Sequence, residues 1–348
     1  MTDMPDNPLG LDGFAFLEFT SPDPVVMAKK LLALGFVAAA RKRDGLLFRQ
    51  GRIAFVINSQ ESGPAAEFRR LHGASAFGMG FHVGNAVGAR QEALTRGARG
   101  ADAAETLFPE TGVIEGVGGS LLYLVDADPF AGWEEISGWR EAMAEKSVGL
   151  DIIDHLTHNV RRGQRRVWAE FYSRIFGFVE QKYFDIKGKA TGLFSQAMIA
   201  PDRAIRIPLN ESQDDKSQIE EFIRDYNGEG IQHIALSTND IYTTVERLRA
   251  NGINLQDTTA TYYELVDTRV PGHGEDIGRL RRNRILIDGD VESQGILLQI
   301  FTEPMFGPIF FEIIQRKGNE GFGNGNFQAL YESIERDQIR RGVIAVDA

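Results

Sequence analysis

Hydrophobic and polar positions alternate along this chain in short blocks, and the blocks recur. Phe14-Ala15-Phe16-Leu17-Glu18-Phe19 reads as a strand. The turn Ser21-Pro22-Asp23-Pro24 follows, and then a helix over Val25 to Leu34 that Gly35 closes. Two more strand-like stretches come next, Gly45 to Gln50 and Arg52 to Ile57. The order returns with Phe77 to Val83, a helix over Asn85 to Arg96 closed by Gly97, and strands near Gly112 to Glu115 and Ser120 to Asp126. A polar, amphipathic stretch from Trp133 to Val148 connects to a third unit. That unit opens with Asp154 to Val160 and continues in a helix over Val167 to Ile175. A fourth opens with Gly230 to Leu236 and has its helix over Ile241 to Ala250, closed by Gly252.

Four β-α-β-type units in two halves form an internal repeat whose units are too long for a solenoid. Their sheets would pair and leave a cup in each half. By pattern, His82 in Gly80-Phe81-His82-Val83 matches His233 in Ile231-Gln232-His233-Ile234, and the position nearest to His155 in the first half is around Phe16.

One further strand carries an oddity. In Pro308-Ile309-Phe310-Phe311-Glu312-Ile313-Ile314-Gln315-Arg316, alternation puts Phe310, Glu312 and Ile314 on one face and Phe311 and Ile313 on the other. An ionised Glu on an apolar face is costly unless a cation, an Arg or a proton compensates it. A wet edge strand is the plain alternative.

Composition narrows the chemistry. The 348 residues are enough for two domains, and 43% hydrophobic with 25% charged residues is ordinary globular composition. A net charge of −11 argues against nucleic acid as a partner. No run of apolar residues is long enough to span a membrane, and the acidic start Met1-Thr2-Asp3-Met4-Pro5-Asp6 has no signal-peptide core, so a cytoplasmic protein is expected. The chain has no cysteine, which removes disulfides and thiolate metal sites. A metal site must then use the six histidines and the carboxylates, an N/O donor set suited to Fe, Zn, Mn or Ni.

His155 and His233 open the two units of the second half in apolar strand contexts, and Glu312 lies in its last strand. Two His and one carboxylate with open positions is the facial arrangement of non-haem Fe(II) oxygenases. Taken singly, each His could be a satisfied core histidine. His158 lies three residues beyond His155, so on a strand it faces the other way and is expected not to bind metal. His72 and His273 sit in glycine-containing stretches and are expected to be solvated. Gln299 and Phe301 share a face of the run Ile296 to Phe301, where an amide beside a phenyl ring suits an aromatic substrate with a polar end. The glycine-rich Gly321-Phe322-Gly323-Asn324-Gly325-Asn326-Phe327 lies too late in the chain for a nucleotide loop. Asn326 is instead a candidate N-cap for a helix with an apolar stripe at Phe327, Leu330, Tyr331 and Ile334. That helix is either a lid or a packed terminal helix.

Asp154-His155-Leu156-Thr157, Gln232-His233-Ile234-Ala235-Leu236, Phe311-Glu312-Ile313-Ile314-Gln315-Arg316 and the glycine-rich stretch together resemble the 4-hydroxyphenylpyruvate dioxygenase family of the vicinal oxygen chelate superfamily. The resemblance implies an α+β fold of two domains, each a pair of βαβββ modules, with a C-terminal lid helix. It implies a metal-free N-terminal pair over residues 1–147 and a catalytic pair over 148–348. It implies that His155, His233 and Glu312 bind Fe(II). Ser195, Asn210, Gln218, Gln232 and Gln299 would form a polar, catalytic wall, and Phe301, Phe310, Phe322 and Phe327 an aromatic one with Asn326 at the lid. The implied reaction takes a 2-oxo acid, 4-hydroxyphenylpyruvate, and O2 to homogentisate and CO2 in tyrosine and phenylalanine breakdown, in a homo-oligomer, dimer or tetramer. The related 4-hydroxymandelate synthase departs from the pattern Pro208-Leu209-Asn210-Glu211, which is intact here. Asn324 stands where Glu is common in the family. An extradiol-type dioxygenase and a metal-free binding protein of the same fold are the rival readings.

Overall fold

The computed structural model describes residues 6–187, 191–258, 260–323, 325–326, 338 and 341–343. Two eight-stranded sheets carry the architecture. The first is built from β1 (Leu11–Thr20), β2 (Val37–Lys42), β3 (Gly45–Gln50), β4 (Ile53–Asn58), β5 (Ser75–Val83), β6 (Gly112–Glu115), β7 (Leu121–Val125) and β8 (Glu134–Glu135). Its helices are α1 (Pro24–Ala33), α2 (Pro64–His72), α3 (Ala86–Thr95) and α4 (Trp139–Lys146). The second is built from β9 (Leu150–Val160), β10 (Val179–Lys187), β11 (Gly192–Ile199), β12 (Arg206–Ser212), β13 (Gly230–Thr238), β14 (Leu286–Asp290), β15 (Gly295–Phe301) and β16 (Phe310–Lys317). It carries α5 (Arg165–Phe176), α6 (Gln218–Asp225) and α7 (Ile241–Ala250).

The strand orders are β6-β7-β5-β1-β4-β3-β2-β8 and β10-β11-β12-β9-β13-β16-β15-β14. In each sheet two antiparallel strands form the centre, β1 with β5 and β9 with β13. Each central strand takes a parallel neighbour from the end of its own module: β4 and β7 in the first sheet, β12 and β16 in the second. This is the α+β architecture of paired modules. The β5 module has one strand fewer than the others: between α3 and β6 it has a bridge from Gly100 to Ile114 in place of a strand.

Local chemistry explains why the helices sit where they do. Asp23, Asn85 and Asp240 accept hydrogen bonds from backbone N–H groups in the first turns of α1, α3 and α7. The module helices end at Gly35, Gly97, Gly177 and Gly252, with φ of 87, 91, 77 and 82°. That left-handed conformation reverses the chain and is open to glycine at no steric cost. α2 and α6 are additional to the expected helices, although α6 carries a buried apolar stripe at Ile219, Phe222 and Ile223; both are short and link the first module of a half to its second.

The ladder corrects one equivalence. His155 pairs with Ala235, which pairs with Glu312, and Phe16 pairs with Gly80, which pairs with Tyr123. His233 therefore corresponds to Gly78, and His82 corresponds to Ser237, four residues from the pattern match. The first cup has Phe16, Gly78 and Tyr123 where the second has His155, His233 and Glu312. A Cβ on Gly78 would lie 2.6 Å from the Tyr123 ring. Rings fill that cup, with Phe16 4.4 Å from Phe108 and 5.4 Å from Tyr123.

His72 and His273 are not solvated. His72 ends α2, stacks on Tyr226 at 4.7 Å, and its Nδ1 lies 2.7 Å from the Tyr226 carbonyl oxygen. His273 has a buried side chain with Nε2 3.1 Å from Asp267. The back of β16 faces the first half, where Phe311 approaches Phe55. Among the described residues no helix is long and apolar enough to cross a membrane.

Candidate metal centre and its pocket

β9, β13 and β16 lie side by side, so residues far apart in the chain meet on one face. Their ligand atoms all lie within 4.8 Å of one another. Glu312 Oε2 is 3.2 Å from His155 Nε2 and 3.4 Å from His233 Nε2. All three side chains are buried. His158 turns away, with its Nε2 3.1 Å from the Tyr172 hydroxyl on α5.

Both imidazoles are oriented by the residue immediately before them. The ladder steps from Ala235–His155 to Leu236–Ile153, so Asp154 is an extra residue in β9. It steps likewise from Ile231–His158 to His233–Thr157, so Gln232 is an extra residue in β13. Such bulges re-aim side chains that regular alternation would send to opposite faces. His155 Nδ1–H donates to Asp154 Oδ1 at 2.8 Å, and His233 Nδ1–H donates to Gln232 Oε1 at 3.0 Å. A carboxylate and an amide oxygen can only accept, so in the neutral rings both Nε2 lone pairs face Glu312. Burial lowers the His155 pKa, but Glu312 and Asp154 outweigh it and raise it, so without a metal a proton on His155 Nε2 bridges to Glu312, and a metal ion would take that proton's place.

Arg316 supports it from behind. Its Nε and Nη2 each donate to the Asp154 carboxylate at 2.8 Å. Its Nη1 donates to the carbonyls of Asn319 at 2.9 Å and Gly321 at 2.6 Å, at the entrance to the glycine-rich stretch. Burial by itself would raise the Asp154 pKa, but Arg316 and His155 hold it well below the usual carboxylate range. Burial acts on Glu312 in the same sense and is outweighed by the two histidines, which hold it at about 2. Burial pushes His233 down, so its neutral, metal-binding form is favoured.

A cavity beside the centre is lined by His155, Thr157, Phe184, Ser195, Pro208, His233, Gln299, Phe301, Glu312 and Phe322. About 20 Å³ of it is free, room for about one ordered water. The structure thus brings Ser195, Gln299, Phe301 and Phe322 to the wall. Phe310, Gln232, Gln218, Asn210 and Asn326 are not part of this lining but stand next to residues of the centre or its wall. Phe310 stacks on His233 at 5.0 Å, and Gln232 holds that ring and lies 3.5 Å from Gln218 on α6. Asn210 is buried beside Ser195, its ladder partner. Gln299 Nε2 donates to Glu312 at 2.5 Å and its Oε1 accepts from Asn326 at 3.0 Å.

Asn326 does not act as an N-cap. It is already within a helical turn, and its side chain is taken up by Gln299 and by the Tyr262 hydroxyl, 2.7 Å away. Phe327 and the expected lid helix lie outside the described residues. Thr157, Phe184 and Pro208 line the cavity without having been expected from sequence. Thr157 was findable, two positions from His155 on the same face. Phe184 and Pro208 depend on long-range strand pairing.

Comparison with known proteins agrees with this geometry. Residues 5–136 match the family described as hydroxyphenylpyruvate dioxygenase, N-terminal, and residues 152–267 the glyoxalase/bleomycin resistance protein/dioxygenase superfamily. The chain is 54% identical to a 4-hydroxyphenylpyruvate dioxygenase of Pseudomonas aeruginosa, over 97% of each chain. The chain belongs to the hydroxyphenylpyruvate dioxygenase family. Another relative in this range, also 54% identical over 97% of this chain and 98% of its own, is named hemolysin VllY, from Vibrio vulnificus. Among solved structures, a mutant 4-hydroxymandelate synthase from Streptomyces coelicolor superimposes with a TM-score of 0.83 at 25% identity, covering 94% of this chain and 99% of that one.

For a member of this family the donor set is apt. Two neutral imidazoles and one carboxylate, with no thiolate, suit Fe(II) and similar ions, and the cavity side of the trio is left to exogenous ligands. Such an ion would replace the proton that His155 otherwise shares with Glu312.

Proposed function

We propose that this chain is an Fe(II)-dependent dioxygenase that converts 4-hydroxyphenylpyruvate and O2 to homogentisate and CO2, a step of tyrosine and phenylalanine breakdown. The observation that carries this reading is the His155, His233 and Glu312 trio facing a cavity whose lining mixes the rings of Phe184, Phe301 and Phe322 with the polar Ser195 and Gln299. Residues 148–348 would form the catalytic pair of modules, and 1–147 a pair without metal.

His155, His233 and Glu312 would hold the iron, which when bound supplies a chelation point for the 2-oxo acid and the means to activate O2. The chain's own residues do the rest. Asp154 and Gln232 keep Nδ1 protonated on both rings and so keep Nε2 available. The phenylalanines exclude water and stack against the substrate ring. Gln299, held by Asn326, orients the Glu312 carboxylate. Ser195, Asn210, Gln218 and Gln232 form the polar end that receives the phenol. With so little free volume in the cavity, entry of substrate requires side chains such as Phe184 or Phe322 to swing aside.

The test is to supply purified, Fe(II)-loaded protein with 4-hydroxyphenylpyruvate and O2 and to identify the product. Homogentisate supports the reading. Hydroxymandelate moves it to the synthase reaction, and no O2 uptake with this substrate sinks both.

A further inference from the structure

One polar side chain in the catalytic half has no use in the account so far. Asn159 on β9 is fully buried, and neither its Oδ1 nor its Nδ2 has a hydrogen-bond partner among the described residues. An amide in that state forfeits the hydrogen bonds it makes in water, a loss that native structures rarely tolerate without an occupant for the site.

Its neighbours share the condition. On the ladder Asn159 pairs with Asn210 of β12, and Asn210 pairs with Ser195 of β11. Cross-strand partners project on the same face of a sheet. Asn210 Oδ1 and Ser195 Oγ are also buried and without partners among the described residues. Three adjacent strands therefore present an unbroken row of unpartnered polar groups. The row belongs to the cup: Ser195 lines the cavity, and Thr157, two residues before Asn159, lines it too. His155 lies on this same face of β9, four residues before Asn159, or about 13 Å along the strand at ordinary rise. A six-membered ring with a para substituent, chelated near His155 and His233, reaches toward this end of the cup.

We propose that Asn159 is a substrate-binding residue that completes a Ser195–Asn210–Asn159 row receiving the phenolic hydroxyl, directly or through one ordered water, and that it sets selectivity for a para-hydroxylated ring. The inference rests on the dioxygenase reading above. A hydroxyl can donate to the Asn159 Oδ1 and accept from its Nδ2, so it satisfies both orphaned atoms. A ring without the hydroxyl satisfies neither.

The experiment compares kcat/KM for 4-hydroxyphenylpyruvate and for phenylpyruvate in wild type, Asn159→Ala and Asn159→Ser, with thermal melts of all three. The expected result is a loss of roughly three- to tenfold in Asn159→Ala for the hydroxylated substrate, with phenylpyruvate changed less than twofold, so that the preference narrows. Asn159→Ser keeps a small polar group and should fall between the two; it carries the test should the alanine variant fail to fold. Equal losses on both substrates, or no loss on either, overturn the role of Asn159 and leave the dioxygenase reading standing. Wild-type protein inactive on 4-hydroxyphenylpyruvate overturns both.

Discussion

Asp154 and His155 are chain neighbours in a strand, yet the Asp154 carboxylate lies 2.8 Å from His155 Nδ1. The bulge at Asp154 makes this possible, and the paired bond from Arg316 holds the carboxylate in place. Asp154→Asn keeps the shape but removes the charge that raises the basicity of the imidazole. We expect it to weaken Fe(II) affinity by about 10- to 100-fold, the usual effect of losing such a partner. It should also destabilise the fold by about 3 kcal/mol, since Arg316 is left buried without its counter-charge. Chelator competition and thermal melts measure the two effects. Unchanged affinity would remove Asp154 from the centre.

Glu312→Gln tests the anionic ligand itself. Without the carboxylate, two neutral imidazoles face each other with no compensating charge for a dication. Metal content after dialysis should fall from near one ion per chain to a small fraction, and turnover should be lost. A variant that keeps both its iron and its rate would show that Glu312 is not a ligand.

The two kinds of residue in this centre were not equally legible. The donor trio could be read because periodicity placed His155, His233 and Glu312 each in an apolar strand, where an imidazole or carboxylate is conspicuous. The module order could be read for a similar reason: a helix ending in glycine recurs four times. Register could not. The pattern set His82 against His233, while the ladder sets Gly78 there, because sequence similarity of two short strands does not fix which residues face each other. The supporting residues were hidden by the bulges at Asp154 and Gln232, since alternation assigns a ligand's immediate neighbour to the wrong face. His72 was misread as solvated because α2 and its packing on Tyr226 are products of tertiary contact.

The junction of the halves offers a test of packing. Gly118 has φ 65°, and a Cβ there would sit 2.0 Å from the Glu229 backbone oxygen. Its neighbour Gly119 has φ 83° and nothing within 4 Å of its Cβ position. Gly119→Ala should cost only the left-handed backbone strain, about 1 kcal/mol. Gly118→Ala adds a clash with backbone that cannot rotate away, for a total of about 3 kcal/mol or more. Denaturant melts of the two variants check the difference. Equal destabilisation would mean that the halves separate there at little cost.

Glu18 predicts a pH dependence that has nothing to do with the metal. It is fully buried in the first cup, accepting from Asn58 Nδ2 at 2.7 Å and from the Tyr123 hydroxyl at 2.7 Å. Burial raises its pKa to about 7, against the smaller lowering effect of those two bonds. The folded state thus binds a proton that the unfolded chain releases near its ordinary carboxylate pKa. The stabilisation linked to that proton is fully present below about pH 4.5, declines as pH rises, and is gone above about pH 7, a total on the order of 3 kcal/mol. Glu18→Gln is neutral at every pH and can keep both partners, its Oε1 accepting from Asn58 and its Nε2 donating to the Tyr123 oxygen. The melting temperature of the variant relative to wild type should therefore climb between pH 5 and pH 8 and level off beyond. Because both proteins share every other titrating group, the difference isolates Glu18; a gap that stays constant across that range would mean the carboxyl ionises in place without penalty.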